Sequence, residues 1–136
     1  MKILLTGSNG LLGQKLVALL RQQADAELVA TSRGANKLAQ LHPDVRFVAL
    51  DVTDASQVQQ VLAQERPTHL IHTAAMTNVD ECELHREACW LQNVTAVEHL
   101  VEACARHQVH LTYLSTDFVF SGESGPLSEE AEPAPV

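Results

Sequence analysis

Leu5-Thr6-Gly7-Ser8-Asn9-Gly10-Leu11-Leu12-Gly13 is the stretch on which the reading of this chain turns. It is preceded by Lys2–Thr6, a short apolar run that predicts a buried strand. It is followed by Leu16, Val17, Leu19 and Leu20, which with Leu11 and Leu12 fall at helical spacings and predict a helix from about Gly10 to Gln23. A strand that passes into a helix through three glycines needs positive φ or close backbone approach, which a Cβ obstructs. The start of such a helix offers unpaired N–H groups and a partial positive charge, a match for a pyrophosphate. Gly13, one turn into the helix, allows close packing against the sheet. The spacing is Gly-x-x-Gly-x-x-Gly rather than Gly-x-Gly-x-x-Gly. Its place at the end of the first strand favours a dinucleotide site over a plain turn.

Working outward, β-rich runs alternate with amphipathic stretches. Strands are expected at Glu27–Thr31, Val45–Leu50, His69–Thr73 and Val109–Ser115. A short helix at Ala35–Leu41 stops near Pro43, and Asp54 with Gln57 opens a further helix as a capping box, ended at Pro67. A long helix lies within about Leu84–His107, where Trp90, Val94, Val97, Val101 and Cys104 form an apolar stripe. Strand–helix alternation predicts an α/β fold, a Rossmann-like doubly wound parallel sheet of about five strands. The strands are nearly continuous apolar runs, as expected when both sheet faces are covered.

The end of the second strand speaks to the choice of dinucleotide. An NAD-binding chain places Asp or Glu about 20 residues past the glycines to hold the ribose 2′-OH. This chain has Thr31-Ser32-Arg33-Gly34. Arg33 can pair with a 2′-phosphate and Ser32 can donate to it, so NADP(H) is expected over NAD, with a solvated Arg33 as the bland reading.

The 136 residues carry 17 acidic and 9 basic side chains, a net charge of −8. Without basic clusters, nucleic acid is an unsuitable partner. No run approaches the ~20 apolar residues of a membrane span, and the N-terminus does not read as a signal peptide. Cys82, Cys89 and Cys104 make no CxxC pair, which suits reduced thiols and a cytoplasmic protein. Cys82, His85 and Cys89 lack an evident fourth ligand, so no metal is expected. Residues 122–136 hold four glutamates and three of the five prolines and read as an acidic loop or tail behind a domain of residues 1–121.

With these residues on the page, the chain resembles the extended short-chain dehydrogenase/reductases, also called the NAD-dependent epimerase/dehydratase family, and within it the dTDP-4-dehydrorhamnose reductase group. The resemblance rests on Leu5–Gly13, Leu50-Asp51-Val52-Thr53-Asp54, His72-Thr73-Ala74-Ala75-Met76-Thr77-Asn78-Val79-Asp80 and Leu114-Ser115-Thr116-Asp117-Phe118-Val119-Phe120. It implies that Gly7, Asn9, Gly10, Leu11 and Leu12 wrap the pyrophosphate. Asp51 and Val52 would flank the adenine, and Ala74 and Ala75 would pass beside the cofactor ribose. Asn93 would stand near the active site, and Thr116 would hydrogen-bond the carbonyl being reduced. Read as residues alone, Asp51 suits a turn cap, the alanines suit packing, and Asn93 suits a structural hydrogen bond.

The resemblance also implies a Tyr-x-x-x-Lys pair. Here the single tyrosine, Tyr113, is followed four residues later by Asp117, and the lysines are Lys2, Lys15 and Lys37. The chain is therefore expected to be the N-terminal part of a longer reductase, without its C-terminal substrate-binding part and inactive alone. The parent would reduce a keto group of a nucleotide-linked sugar, the small-molecule partner, and a homodimer is compatible with the fold. Two alternatives are a non-catalytic NADP(H)-binding regulatory subunit and an NAD-dependent sugar-nucleotide epimerase or dehydratase.

Overall fold

The computed structural model describes residues 1–123 and 125–134. Five strands form one all-parallel sheet: β1 (Lys2–Thr6), β2 (Glu27–Ser32), β3 (Arg46–Ala49), β4 (His69–His72) and β5 (His110–Tyr113). Their spatial order is β3-β2-β1-β4-β5. The chain leaves β1 for β2 and β3 on one side, then returns to lay β4 and β5 on the other. That reversal puts the switch point between β1 and β4, outside whose carboxyl ends an open α/β sheet offers a crevice.

Helix α1 (Leu11–Leu20) covers one face, and α2 (Ala55–Glu65) and α5 (Ala96–His107) cover the other. The alternation of β1 shows why the strands read as continuous apolar runs. Ile3 and Leu5 pack with Val17, Leu28 and Leu38, whereas Leu4 packs with Val58, Leu62, Leu70 and Leu100 on the opposite side. Burying each such side chain contributes roughly 1.5–3 kcal/mol.

Asp54 caps α2 as its sequence predicts, accepting from the backbone N–H groups of Ser56 and Gln57 at 2.9 and 3.1 Å. Gln57 departs from the capping box: its Oε1 accepts from Asp51 N, and its amide donates to Asp54 Oδ2. Arg66, in the left-handed conformation with φ of 48°, ends the helix before Pro67.

Two expectations are corrected. Ala35–Leu41 forms turns rather than a short helix. Asn36 Oδ1 accepts from Leu38 N at 2.9 Å and Asn9 Oδ1 from Lys37 N at 3.1 Å, but a single turn closes, His42 N on Leu38 O at 2.8 Å, before Pro43, and one turn is a costly helix nucleus. The long helix stands as one continuous run from Arg86 to His107, but it is not α-helical throughout: α4 (Arg86–Trp90) passes into α5 through a π-helical turn over Leu91–Thr95, and a separate helix, α3 (Val79–Leu84), precedes it. The wider turn shifts the helical phase. The buried face of α5 is Ala96, Leu100, Ala103 and Cys104, so Cys104 of the expected stripe is buried while Trp90 and Val101 are exposed. The described part of residues 122–136 contains neither helix nor strand. Ser124, Pro135 and Val136 of that expected tail lie outside the described residues.

No helix among the described residues is long and apolar enough to cross a membrane. No group of three or more metal-ligating side chains occurs among them either.

Candidate dinucleotide site

Beyond the carboxyl ends of the strands lies a cleft of about 250 Å³. Of the residues expected to hold a cofactor, Gly7, Gly10, Ser32, Arg33, Asp51, Val52, Ala74 and Ala75 line it together, although they come from four separate connections of the chain. Thr6, Leu50, Thr73 and Gln92 line it as well. Sequence reasoning missed these four. The first three are immediate neighbours of predicted site residues, and Gln92 is brought in by the π-helical turn that the sequence did not reveal.

The glycines are required by contact. Gly7 has φ of +71°, and a Cβ there would come within 2.7–2.9 Å of the Ala74 and Thr73 backbone. A Cβ on Gly13 would overlap the Gly7 carbonyl oxygen, so Gly13 packs α1 against the turn itself rather than against the sheet. Gly10 N donates to Gly7 O at 2.9 Å, and Ser8 N donates to Thr31 O at 3.0 Å, tying the turn to β2. The hydroxyl of Ser8 is buried and without a hydrogen-bond partner among the described residues.

The start of α1 differs from those of its neighbours. Gly10 supplies no side-chain cap, and the first turn carries no acidic residue. By contrast, α2 is capped by Asp54 and α3 by Asn78, whose Oδ1 accepts from Glu81 N at 3.1 Å. The first N–H groups of α1 thus keep their positive end for whatever sits beside Gly7 and Gly10.

Other predicted residues have different placements. The Asn9 side chain holds the loop after β2, donating to Ala35 O at 2.9 Å and accepting from Lys37 N. Leu11 and Leu12, at the head of α1, are exposed and do not line the cleft. Asp51 uses Oδ1 to accept from Thr53 N and Oγ1 at 3.0 and 2.7 Å, a turn-capping role that it combines with its place on the cleft wall. Asn93 is a clasp: its Oδ1 accepts from Met76 N and its Nδ2 donates to Met76 O, both at 2.8 Å. It thereby holds the loop that carries Ala74 and Ala75. Thr116 is exposed beyond β5, and its Oγ1 accepts from Phe118 N at 2.9 Å. Among the described residues the Thr116 hydroxyl has no acceptor for its proton.

Beneath the cleft, His72 is buried and its Nδ1 shares a 2.6 Å hydrogen bond with the Thr6 hydroxyl. Burial pushes its pKa down to about 4, so the ring is neutral near pH 7. Tyr113 stacks over it with ring centroids 5.8 Å apart.

The family model described as "RmlD substrate binding domain" matches residues 1–136. The chain belongs to that family. A dTDP-4-dehydrorhamnose reductase of Aggregatibacter actinomycetemcomitans is 33% identical over 129 residues, covering 94% of this chain and 39% of the relative. The methionine adenosyltransferase 2 subunit beta of Xenopus tropicalis is 31% identical over 135 residues, covering 99% of this chain and 38% of the relative. Among solved structures, a hypothetical dTDP-4-dehydrorhamnose reductase from Sulfolobus tokodaii superposes with a TM-score of 0.85 at 33% identity, covering 99% of this chain and 46% of that one. A Thermus thermophilus UDP-glucose 4-epimerase in complex with NAD superposes with a TM-score of 0.85 at 26% identity, covering 99% and 43%. The family and fold read from the motifs are thus borne out. This chain spans about two fifths of the length of the curated relatives it matches.

Proposed function

We propose that this chain binds NADP(H) at the glycine turn and supplies the dinucleotide-binding part of a reductase acting on a keto group of a nucleotide-linked sugar. The uncapped start of α1, opening beside Gly7 and Gly10 into the cleft, carries this reading. An anion placed there meets backbone N–H donors that no side chain has taken. The lining fits the group: the uncapped head of α1 beside Gly7 and Gly10 and the Arg33 side chain share one cleft.

When bound, the nicotinamide cofactor supplies the hydride. The chain's own residues bind and orient. Arg33, on the cleft wall, pairs with a ribose 2′-phosphate, and Ser32 beside it donates a hydrogen bond. Asp51 and Val52 bound the adenine, and Ala74 and Ala75 give the ribose a wall without bulk. Gly13 keeps the turn tight, Asn9 braces it against the loop after β2, and the backbone N–H groups of Leu11 and Leu12 at the head of α1 serve the pyrophosphate. Thr116 aims its hydroxyl proton at the substrate carbonyl, stabilising charge that develops on that oxygen.

The substrate class is supported by the reductase relative at 33% identity. The similarity to a transferase's beta subunit favours a second reading, in which the same cleft binds NADP(H) without turnover. An NADP-dependent keto-reductase assay on the full-length protein separates the two, since only the first predicts product.

The cofactor reading is tested by calorimetric titration of NADPH and NADH. NADPH should bind more tightly, and Arg33→Glu should cost NADPH about 1.5–3 kcal/mol, the range for hydrogen bonds to charged groups, while sparing NADH. Equal affinities in the wild type would remove the NADP(H) preference.

A further inference from the structure

Away from the cleft wall, the described residues hold one pair of facing nucleophiles. Cys82 stands in α3 and Cys89 in α4, on either side of His85, whose φ of −128° and ψ of 56° break the helix. Their sulfurs lie 2.6 Å apart. Both are tied to the loop after β4: Asn93 Nδ2 donates to Cys89 Sγ at 3.4 Å, and the Cys82 thiol donates to Met76 O at 3.5 Å. The pair therefore leans on the Asn93–Met76 clasp that holds the loop after β4. Cys104 is elsewhere, buried in the core cluster with Leu100 and Ala103.

We propose that Cys82 and Cys89 form a reversible dithiol–disulfide site whose oxidation stiffens the loop carrying Ala74, Ala75 and Met76. The oxidant is a small disulfide such as glutathione disulfide. The Cys89 thiolate attacks one sulfur of that disulfide and expels one thiol. Cys82 then attacks the mixed disulfide and expels the second. The protein loses two thiol protons and two electrons, and the oxidant becomes two thiols. Contact with Cys89, and then burial, push the Cys82 thiol up to about 11.

Bond formation requires the sulfurs to close to the ~2.05 Å of a disulfide, a shift of about half an ångström. The cross-link spans the His85 break and ties α3, a helix of six residues that is too short to persist alone, to the head of the continuous helix that α4 opens. Oxidation removes the weak Cys82 donation to Met76 O, but Asn93 keeps both its hydrogen bonds to Met76, and the clasp opens less often once the helices beside it are joined.

The full-length wild-type protein is equilibrated with glutathione disulfide or with dithiothreitol, then read by mass spectrometry and by amide hydrogen exchange. Trypsin cuts after Arg86, between the two cysteines, so the cross-link appears as a joined pair of peptides. The expected result is a mass about 2 Da lower in the oxidised sample, a Cys82–Cys89 linked pair, and exchange at the Met76 amide slowed several-fold and restored by reduction. Cys82→Ser and Cys89→Ser should show neither change. Glutathione adducts without the linked pair would overturn the proposal, and so would a linked pair that leaves Met76 exchange unchanged. Neither readout depends on dinucleotide binding, so failure here is separable from failure of the cofactor reading.

Discussion

At the amino ends of the strands the sheet is held by charge, and at the carboxyl ends by backbone contact. Glu65, buried at the end of α2, receives Arg46 through a bidentate pair at 2.6–3.1 Å and Lys2 at 3.2 Å, while Lys2 also reaches Glu27 at 2.9 Å. These charges satisfy one another. At the opposite end, Gly7 and Gly13 press on neighbouring backbone and the first N–H groups of α1 go uncapped. One end has finished its electrostatics inside the chain, and the other is left complementary to an outside anion. Substitutions should therefore separate the ends: the amino end should change stability alone, the carboxyl end binding first.

Gly13→Val should break the comparison most severely. Its side chain would occupy the space of the Gly7 carbonyl, costing about 3 kcal/mol or more by overpacking. Thermal unfolding should register the loss, and NADPH binding should vanish with it. Glu65→Ala comes next, at roughly 1–3 kcal/mol, because it leaves the half-buried Lys2 ammonium short of a partner. Denaturant unfolding should show that loss, while NADPH affinity measured well below the midpoint stays as in the wild type. Should affinity fall in parallel with stability, the two ends are not independent.

A smaller effect is expected from acid. In the folded chain His72 has a pKa of about 4, against 6.5 for an ordinary histidine. A depressed folded pKa means that the unfolded chain takes up the proton first as pH falls. The stability that His72 contributes is complete above about pH 6.5 and is lost progressively down to about pH 4, by at most ~3 kcal/mol. Glu65, held below the usual carboxylate range first by Arg46, loses its contribution only as pH falls further, below its ordinary value of 4.5. His72→Gln should flatten the stability profile between pH 6.5 and 4 and leave the more acidic limb in place.

Much of the carboxyl end was legible because its constraints are local in sequence. A glycine that another backbone segment touches has few substitutes, so Gly7, Gly10 and Gly13 announced the turn, and Asp54 announced α2 by its own capping chemistry. Ser32, Arg33, Asp51, Val52, Ala74 and Ala75 follow strands, and strand ends in this topology converge on one crevice. What was illegible depends on distant partners. The π-helical turn over Leu91–Thr95 has no local marker, yet it carries Gln92 into the cleft. The hold of Asn9 on Ala35 and Lys37 likewise depends on a loop some 26–28 residues away.

The central claim, that the uncapped turn between β1 and α1 is a dinucleotide site, is tested most directly by amide chemical shifts. A titration of the isotopically labelled full-length protein with NADPH should move the amides of Gly7, Gly10, Arg33 and Ala74 together at one saturating affinity. The amides of Lys2, Arg46 and Glu65 at the far end should stay still. Shifts that saturate elsewhere, or a glycine turn unmoved at saturating NADPH, would contradict the account.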